Sequence, residues 1–131
     1  QTGAYSLEPT EAIAVDVSFA AQPGVDPAKC GKLGGGPMIG MAPILNRPMT
    51  NRLLELAKEH EIPYSMEIMG GETGTNADEI AVSRTGVPTA MVSIPLRYMH
   101  TPVEVVELSD VQAVADLMAE FLREFDGEVG A

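Results

Sequence analysis

The chain has 131 residues, the length of one domain, and 45% of them are hydrophobic, which excludes a disordered polymer because there is enough apolar surface to offset chain entropy. Lys and Arg total 8 against 19 Asp and Glu, a formal charge of −11, so nucleic acid is not expected as a partner: phosphate contacts need a cationic surface. No apolar run approaches the roughly 20 residues of a membrane span, and the single cysteine, Cys30, excludes an internal disulfide and suits a reducing, cytoplasmic setting.

The first ten residues lack the basic start and apolar core of a signal peptide. The chain opens at Gln1 without an initiator methionine, as expected of a piece of something longer. Glu11 to Val17 is short, branched and nearly all apolar, the pattern of a strand covered on both faces. Asp16 is the anomaly near its end. Gln22 to Gly36 reads as loop, punctuated by Pro23-Gly24, Pro27 and Gly34-Gly35-Gly36. Met38 to Met41 fits a short strand. Thr50 or Asn51 can cap a helix reaching about His60, with Leu53, Leu56, Ala57 and His60 on one face. Pro63 prevents its continuation. Tyr64 to Met69 alternates as a strand does.

Gly70 to Thr75 is a glycine-rich turn, and Asn76-x-x-Glu79 resembles a capping box opening a helix through Arg84. Gly86 is placed to end that helix. Pro88 to Ile94 is a second buried strand, followed by a loop from Pro95 to Thr101. Val103 to Leu108 is extended or irregular. Ser109-x-x-Gln112 forms another capping box, after which Val111, Val114, Leu117, Met118, Phe121, Leu122 and Phe125 keep helical spacing. Residues 103–131 hold eight acids and one arginine, expected as a solvated helix face. Strands alternating with helices predict an α/β domain, a layered sheet flanked by helices.

Common catalytic signatures are absent. Gly31-Lys32 has no glycine five residues before Gly31, so no P-loop forms. The glycine clusters do not fit G-x-G-x-x-G, and no serine sits in G-x-S-x-G. His60-Glu61 lacks the second histidine of a zincin helix; Tyr64 stands there. Asp16 and His100 remain. A carboxylate among apolar residues is costly unless it is paired, hydrogen-bonded or bound to metal. His100 follows another buried strand, in a loop with Arg97 and Tyr98. The two could converge on one divalent metal, or Asp16 could be a hydrogen-bonded structural aspartate and His100 an ordinary loop histidine.

Five stretches occur in a telling order: Ala12-Ile13-Ala14-Val15-Asp16-Val17, Lys32-Leu33-Gly34-x-Gly36-Pro37, Gly70-Gly71-x-x-Gly74-Thr75-x-Ala77-Asp78, Gly86-Val87-Pro88-Thr89, and Ser93 through Glu104, which contains Arg97-Tyr98-Met99-His100. Together they resemble the C-terminal part of the glutamyl or deblocking aminopeptidases. These are dinuclear metallopeptidases whose large assemblies are called TET peptidases, and some carry the name endoglucanase M or cellulase M. The resemblance runs from about Tyr5 to Leu122. It implies a fold like the C-terminal half of a zinc-peptidase catalytic domain, with residues 1–131 a partial domain lacking the N-terminal half and the inserted assembly domain.

The resemblance also implies chemistry. Two ions, zinc or cobalt, share a bridging aspartate, and a glutamate general base activates a water that attacks the peptide carbonyl. Asp16 matches the ligand of one ion and His100 the ligand of the other. Arg97 and Tyr98 are candidates for lining the substrate pocket, although Arg97 could equally pair with a local acid. The family's first histidine, bridging aspartate and Glu-Glu pair, the general base included, would lie upstream; Glu8 and Glu11 are not that pair. Gly74-Thr75-Asn76-Ala77 departs from the Gly-Thr-Asp-Ala found in many members. The parent is thus expected to be a cytoplasmic, homo-oligomeric aminopeptidase acting on peptides. This chain alone is expected to be inactive and not to retain the two metals. Two alternatives are a glycoside hydrolase and a non-catalytic assembly module. The first needs paired carboxylates and aromatic sugar platforms, and the chain has no Trp, 3 Tyr and 3 Phe.

Overall fold

The computed structural model describes residues 11–23, 30–70, 76–82, 86–98 and 101–124. The elements are β1 (Ala12–Phe19), β2 (Met38–Met41), α1 (Arg47–Glu59), β3 (Ser65–Ile68), α2 (Asn76–Ala81), β4 (Thr89–Arg97), β5 (Val105–Val106) and α3 (Leu108–Glu124). The sheet order is β1-β4-β2-β3, with β5 also on β4. β1 runs parallel to β4 from Ala12↔Thr89 to Phe19↔Leu96. β2 is antiparallel to β4 and parallel to β3. The predicted α/β layering is observed.

Strand alternation sorts the core into two halves. Ile13, Ile39, Ala90, Val92 and Ile94 pack against Met49, Leu53, Leu56 and Ala57 of α1 and Val114, Leu117 and Phe121 of α3. Ala14 and Met91, on the opposite face, pack with Ala42, Leu45 and Ala77 of α2. Gly40 is part of that second half: a Cβ there would lie 2.9 Å from Met91 Cε and 3.3 Å from Leu45 Cδ1. α3 is further joined to α1 by Arg52 with Glu124 and by His60 Nε2 with Glu120 Oε2 at 3.2 Å.

Several boundaries differ from the sequence reading, each for a local reason. α1 starts at Arg47, not at Thr50: Asn46 Oδ1 accepts the Met49 N–H at 3.0 Å, and Pro48 fills the first turn, where its missing N–H costs nothing. Thr50 is instead buried and its hydroxyl faces Gly40 O. α2 ends at Ala81; Gly86, at φ +104°, lets Val87 N–H return to Ala81 O at 3.0 Å. The side chains of Asn76 and Glu79 lie outside the described residues, as do Arg84 and Phe125.

β4 continues to Arg97, through a proline expected to end it. Even-numbered β4 residues face β1, as Ala12 N–H to Pro88 O and Ala20 N–H to Leu96 O show. Pro95 therefore turns its missing donor to the other edge. There the β2 ladder has stopped at Met38↔Ser93 and the β5 ladder starts at Leu96↔Val106. No ladder bond is lost, which is the condition for proline inside a sheet.

α3 begins at Leu108, and the Ser109/Gln112 capping box does not form: Gln112 Nε2 donates to Asp116 Oδ1 at 2.8 Å. Asp110 has the larger role. It is 1% exposed, and its carboxylate accepts the Gly34 N–H at 2.9 Å and the Gly36 N–H at 2.8 Å. The glycine-rich loop is thereby fastened to the first turn of α3, where a carboxylate also suits the helix dipole. Gly36 sits at φ +80°, and a Cβ there would fall 1.8 Å from Pro63 O.

Candidate functional site

β1 runs three residues past Asp16, so this aspartate lies on the face of the sheet and not beyond a strand end. Register gives its surroundings. Ser93 is its partner on β4, and Ser18, two residues along, points to the same side. On the opposite side Val15, Val17 and Phe19 are 45%, 36% and 42% exposed, because α1 and α3 cover Ile13 but reach no further along β1.

The Asp16 carboxylate is half-buried, and its Oδ1 accepts the N–H of Val17 at 2.8 Å. That N–H belongs to the odd-numbered set, which points away from β4 to the outer edge of β1. The carboxylate thus leans over an edge that carries no partner strand among the described residues. At the end of that edge Gly31 closes the ladder, donating to Phe19 O and accepting from Ala21 N–H. Among the described residues only Oδ1 of Asp16 is engaged, by the neighbouring backbone N–H.

The structure adds a residue that sequence reasoning missed. Glu67 of β3 accepts from Ser18 Oγ and, at 3.3 Å, from Ser93 Oγ. β3 is three places from β1 in the sheet, about 14 Å in a flat sheet at ~4.8 Å per strand. One glutamate and one serine cannot span that. The sheet therefore curls toward this face, drawing Glu67 over Ser93 and Ser18. Strand alternation in Ser65-Met66-Glu67-Ile68 and the i+2 spacing of Ser18 from Asp16 were the available signals. Neither says that β3 meets β1.

The other candidates separate. Arg97 donates from Nε to Ala21 O at 2.9 Å, tying the end of β4 to the segment after β1. Tyr98, at φ +59° and 39% exposed, donates its N–H to Gln22 Oε1 at 2.8 Å, and its carbonyl accepts from Thr101 Oγ1. Both therefore lie at the Asp16 end of the sheet, where β1 and β4 finish together. His100 and Met99 lie outside the described residues, as do Glu8 and the Gly71–Thr75 turn. No group of three His, Cys, Asp or Glu side chains suited to a metal occurs among the described residues.

Comparison with known proteins follows the same outline. The profile of the M42 glutamyl aminopeptidases matches residues 1–117. The lysyl aminopeptidase of Pyrococcus furiosus is 36% identical over 124 residues, covering 95% of this chain and 36% of that protein. Two solved structures superpose closely. A TET aminopeptidase from Thaumarchaeota archaeon SCGC AB-539-E09 gives a TM-score of 0.88 at 30% identity, covering 96% of this chain and 36% of that one. The aminopeptidase APDkam598 from Desulfurococcus kamchatkensis gives 0.87 at 35% identity, with 96% and 37% covered. The chain spans about a third of the length of these relatives. With the motif order, the layered sheet and these matches together, the chain belongs to the M42 glutamyl aminopeptidase family.

Proposed function

We propose that this chain is part of the catalytic domain of a metal-dependent aminopeptidase that removes N-terminal residues from peptides. In this reading Asp16 and His100 each supply one ligand to a pair of divalent ions, zinc or cobalt, and the remaining ligands and the general base come from other parts of the polypeptide. The observation that carries it is the position of Asp16: a half-buried carboxylate, at the position the family resemblance assigns to a metal ligand, leaning over an edge of β1 that carries no partner strand among the described residues.

The residues present fit one ligand's share of such a centre and no more. A carboxylate with one oxygen held by a backbone N–H and the other unengaged among the described residues suits a hard or borderline cation. Bound divalent ions would supply Lewis-acid polarisation of the scissile carbonyl and a water of lowered pKa. Asp16 keeps its orientation through Val17 N–H. Arg97 fixes the turn that follows β1, and Tyr98, half-exposed beside it, forms part of the pocket wall for the peptide. Because the carboxylate leans to the outer edge, the other ligands would approach from beyond β1. The parent is read as a cytoplasmic homo-oligomer, a reading supported by the TET aminopeptidase among its structural relatives and by the single cysteine. No helix among the described residues is long and apolar enough to cross a membrane.

The test is hydrolysis of aminoacyl anilides with added zinc or cobalt. The 131-residue chain should give no turnover above the metal blank. In the complete polypeptide, Asp16→Asn should lower kcat/KM by more than the about 10–100-fold typical of residues behind a metal ligand. Full activity of that variant would sink the assignment. Reducing-sugar release from soluble cellulose, with no anilide cleavage, would instead favour a glycoside hydrolase.

A further inference from the structure

We infer that Glu67 is a positioning residue for Asp16: by holding Ser18 and Ser93 at once, it fixes the strand segment that presents the Asp16 carboxylate. The inference rests on the reading of Asp16 as a ligand. Its geometry is independent of that reading.

Asp16 has two hydroxyl neighbours on its own face, Ser18 along β1 and Ser93 across on β4. Both hydroxyls end on one carboxylate, Ser18 on Glu67 Oε2 and Ser93 on Oε1. Ser93 is 1% exposed, and a buried hydroxyl needs a partner. A charged acceptor makes that partner a strong one. Beyond Ser18, β1 is held by Gly31, bonded to Phe19 and Ala21, and by Arg97 on Ala21 O. Its outer edge carries no described strand, and the side of Val15, Val17 and Phe19 is partly open. Between Asp16 and Ser18 the β4 ladder holds one edge, and among the described residues Glu67 is the side-chain tie on the polar face. Loosening Ser18 and Ser93 lets the segment from Asp16 to Ser18 shift. The Asp16 Oδ1 to Val17 N–H bond is the first contact to suffer.

That bond supplies the readout, because amide exchange at Val17 reports it directly. In the 131-residue chain, Glu67→Ala should lower Val17 protection about tenfold or more, with Leu53, Leu56 and Leu117 unchanged. Glu67→Gln should restore most of it: the amide can accept from one serine and donate to the other, so geometry is rescued without charge. Asp16→Ala should lower Val17 protection as well. The inference is overturned if Val17 is unaffected by Glu67→Ala. It is equally overturned if Val17 falls only in step with the α1 and α3 amides, which marks a general stabiliser, or if Asp16→Ala leaves Val17 protected. In the complete polypeptide, cobalt(II) titration followed by absorbance should show about 10–100-fold weaker binding for Glu67→Ala and near-normal binding for Glu67→Gln. Cobalt binding indifferent to Asp16→Ala would retire the metal reading, and with it the purpose of the clamp. A Val17 effect in the same experiments would still show that Glu67 holds the strand.

Discussion

Replacing Asp110 by alanine removes two hydrogen bonds, and at the buried Gly36 N–H no water can readily take its place. The Gly36 N–H is buried and the Gly34 N–H part-buried, at 2.8 and 2.9 Å from the two carboxylate oxygens. A hydrogen bond to a charged group contributes about 1.5–3 kcal/mol, and orphaning a buried donor costs about 1–3 kcal/mol. We assign about 2–3 kcal/mol to Gly36 and about 1 to Gly34, which can partly rehydrate. Losing a carboxylate from the first turn of α3 adds about 0.5 kcal/mol. The total of about 4 kcal/mol is a large share of the 5–15 kcal/mol typical of a whole domain. Asp110→Asn keeps one acceptor oxygen and should lose about half as much. Asp116→Ala, on the exposed side of the same helix and bonded to Gln112, should cost under about 0.5 kcal/mol. Urea unfolding followed by far-ultraviolet circular dichroism measures all three, with m unchanged. A loss below about 1 kcal/mol for Asp110→Ala would refute the view that Asp110 fastens the glycine-rich loop to α3.

Other outcomes follow from the same structure. Gly36→Ala should be worse than any cavity substitution, since its Cβ would meet Pro63 O at 1.8 Å in a backbone of φ +80°; soluble yield and thermal midpoint report it, and a wild-type midpoint would contradict it. Leu53→Ala, at a fully buried site between α1 and the sheet, should cost about 2–5 kcal/mol in urea unfolding. Val15, Val17 and Phe19, beside an edge of β1 that carries no partner strand among the described residues, should make the isolated chain self-associate. Light scattering at high concentration checks this, and a monomer there would count against it.

Much of the fold was legible because the chain alternates buried strands with amphipathic helices. Ala12 to Val17, Met38 to Met41 and the helix carrying Val114, Leu117 and Phe121 all stand where their patterns place them, but β1 is not covered on both faces as its apolar run predicts: Val15 and Val17 are 45% and 36% exposed because α1 and α3 stop at Ile13. Asn46 and Pro48 carry the signals of a helix start, but Thr50 has cap chemistry as good, so the sequence alone does not choose between them. Pro95 misled because a proline's cost depends on which edge its missing donor faces, and register is not visible in one strand's sequence. Asp110 binds glycines 74 and 76 residues away, and no local pattern announces that. For the site, Asp16 stood out as a charge in an apolar strand. Glu67 did not, because it meets Ser18 only through the curl of the sheet.

Pro95 has one more consequence. Since the β2 and β5 ladders meet the same edge of β4 on either side of a residue that donates nothing, no hydrogen bond passes opening from one to the other. β5 contributes two residue pairs, Leu96↔Val106 and Arg97↔Val105. That tip can fray and reclose while the β2 and β1 ladders stay intact, as a separate, low-energy cooperative unit. The proline insulates: breathing at the end of the sheet is confined to the end, and the hydrophobic layers beneath it keep their full protection.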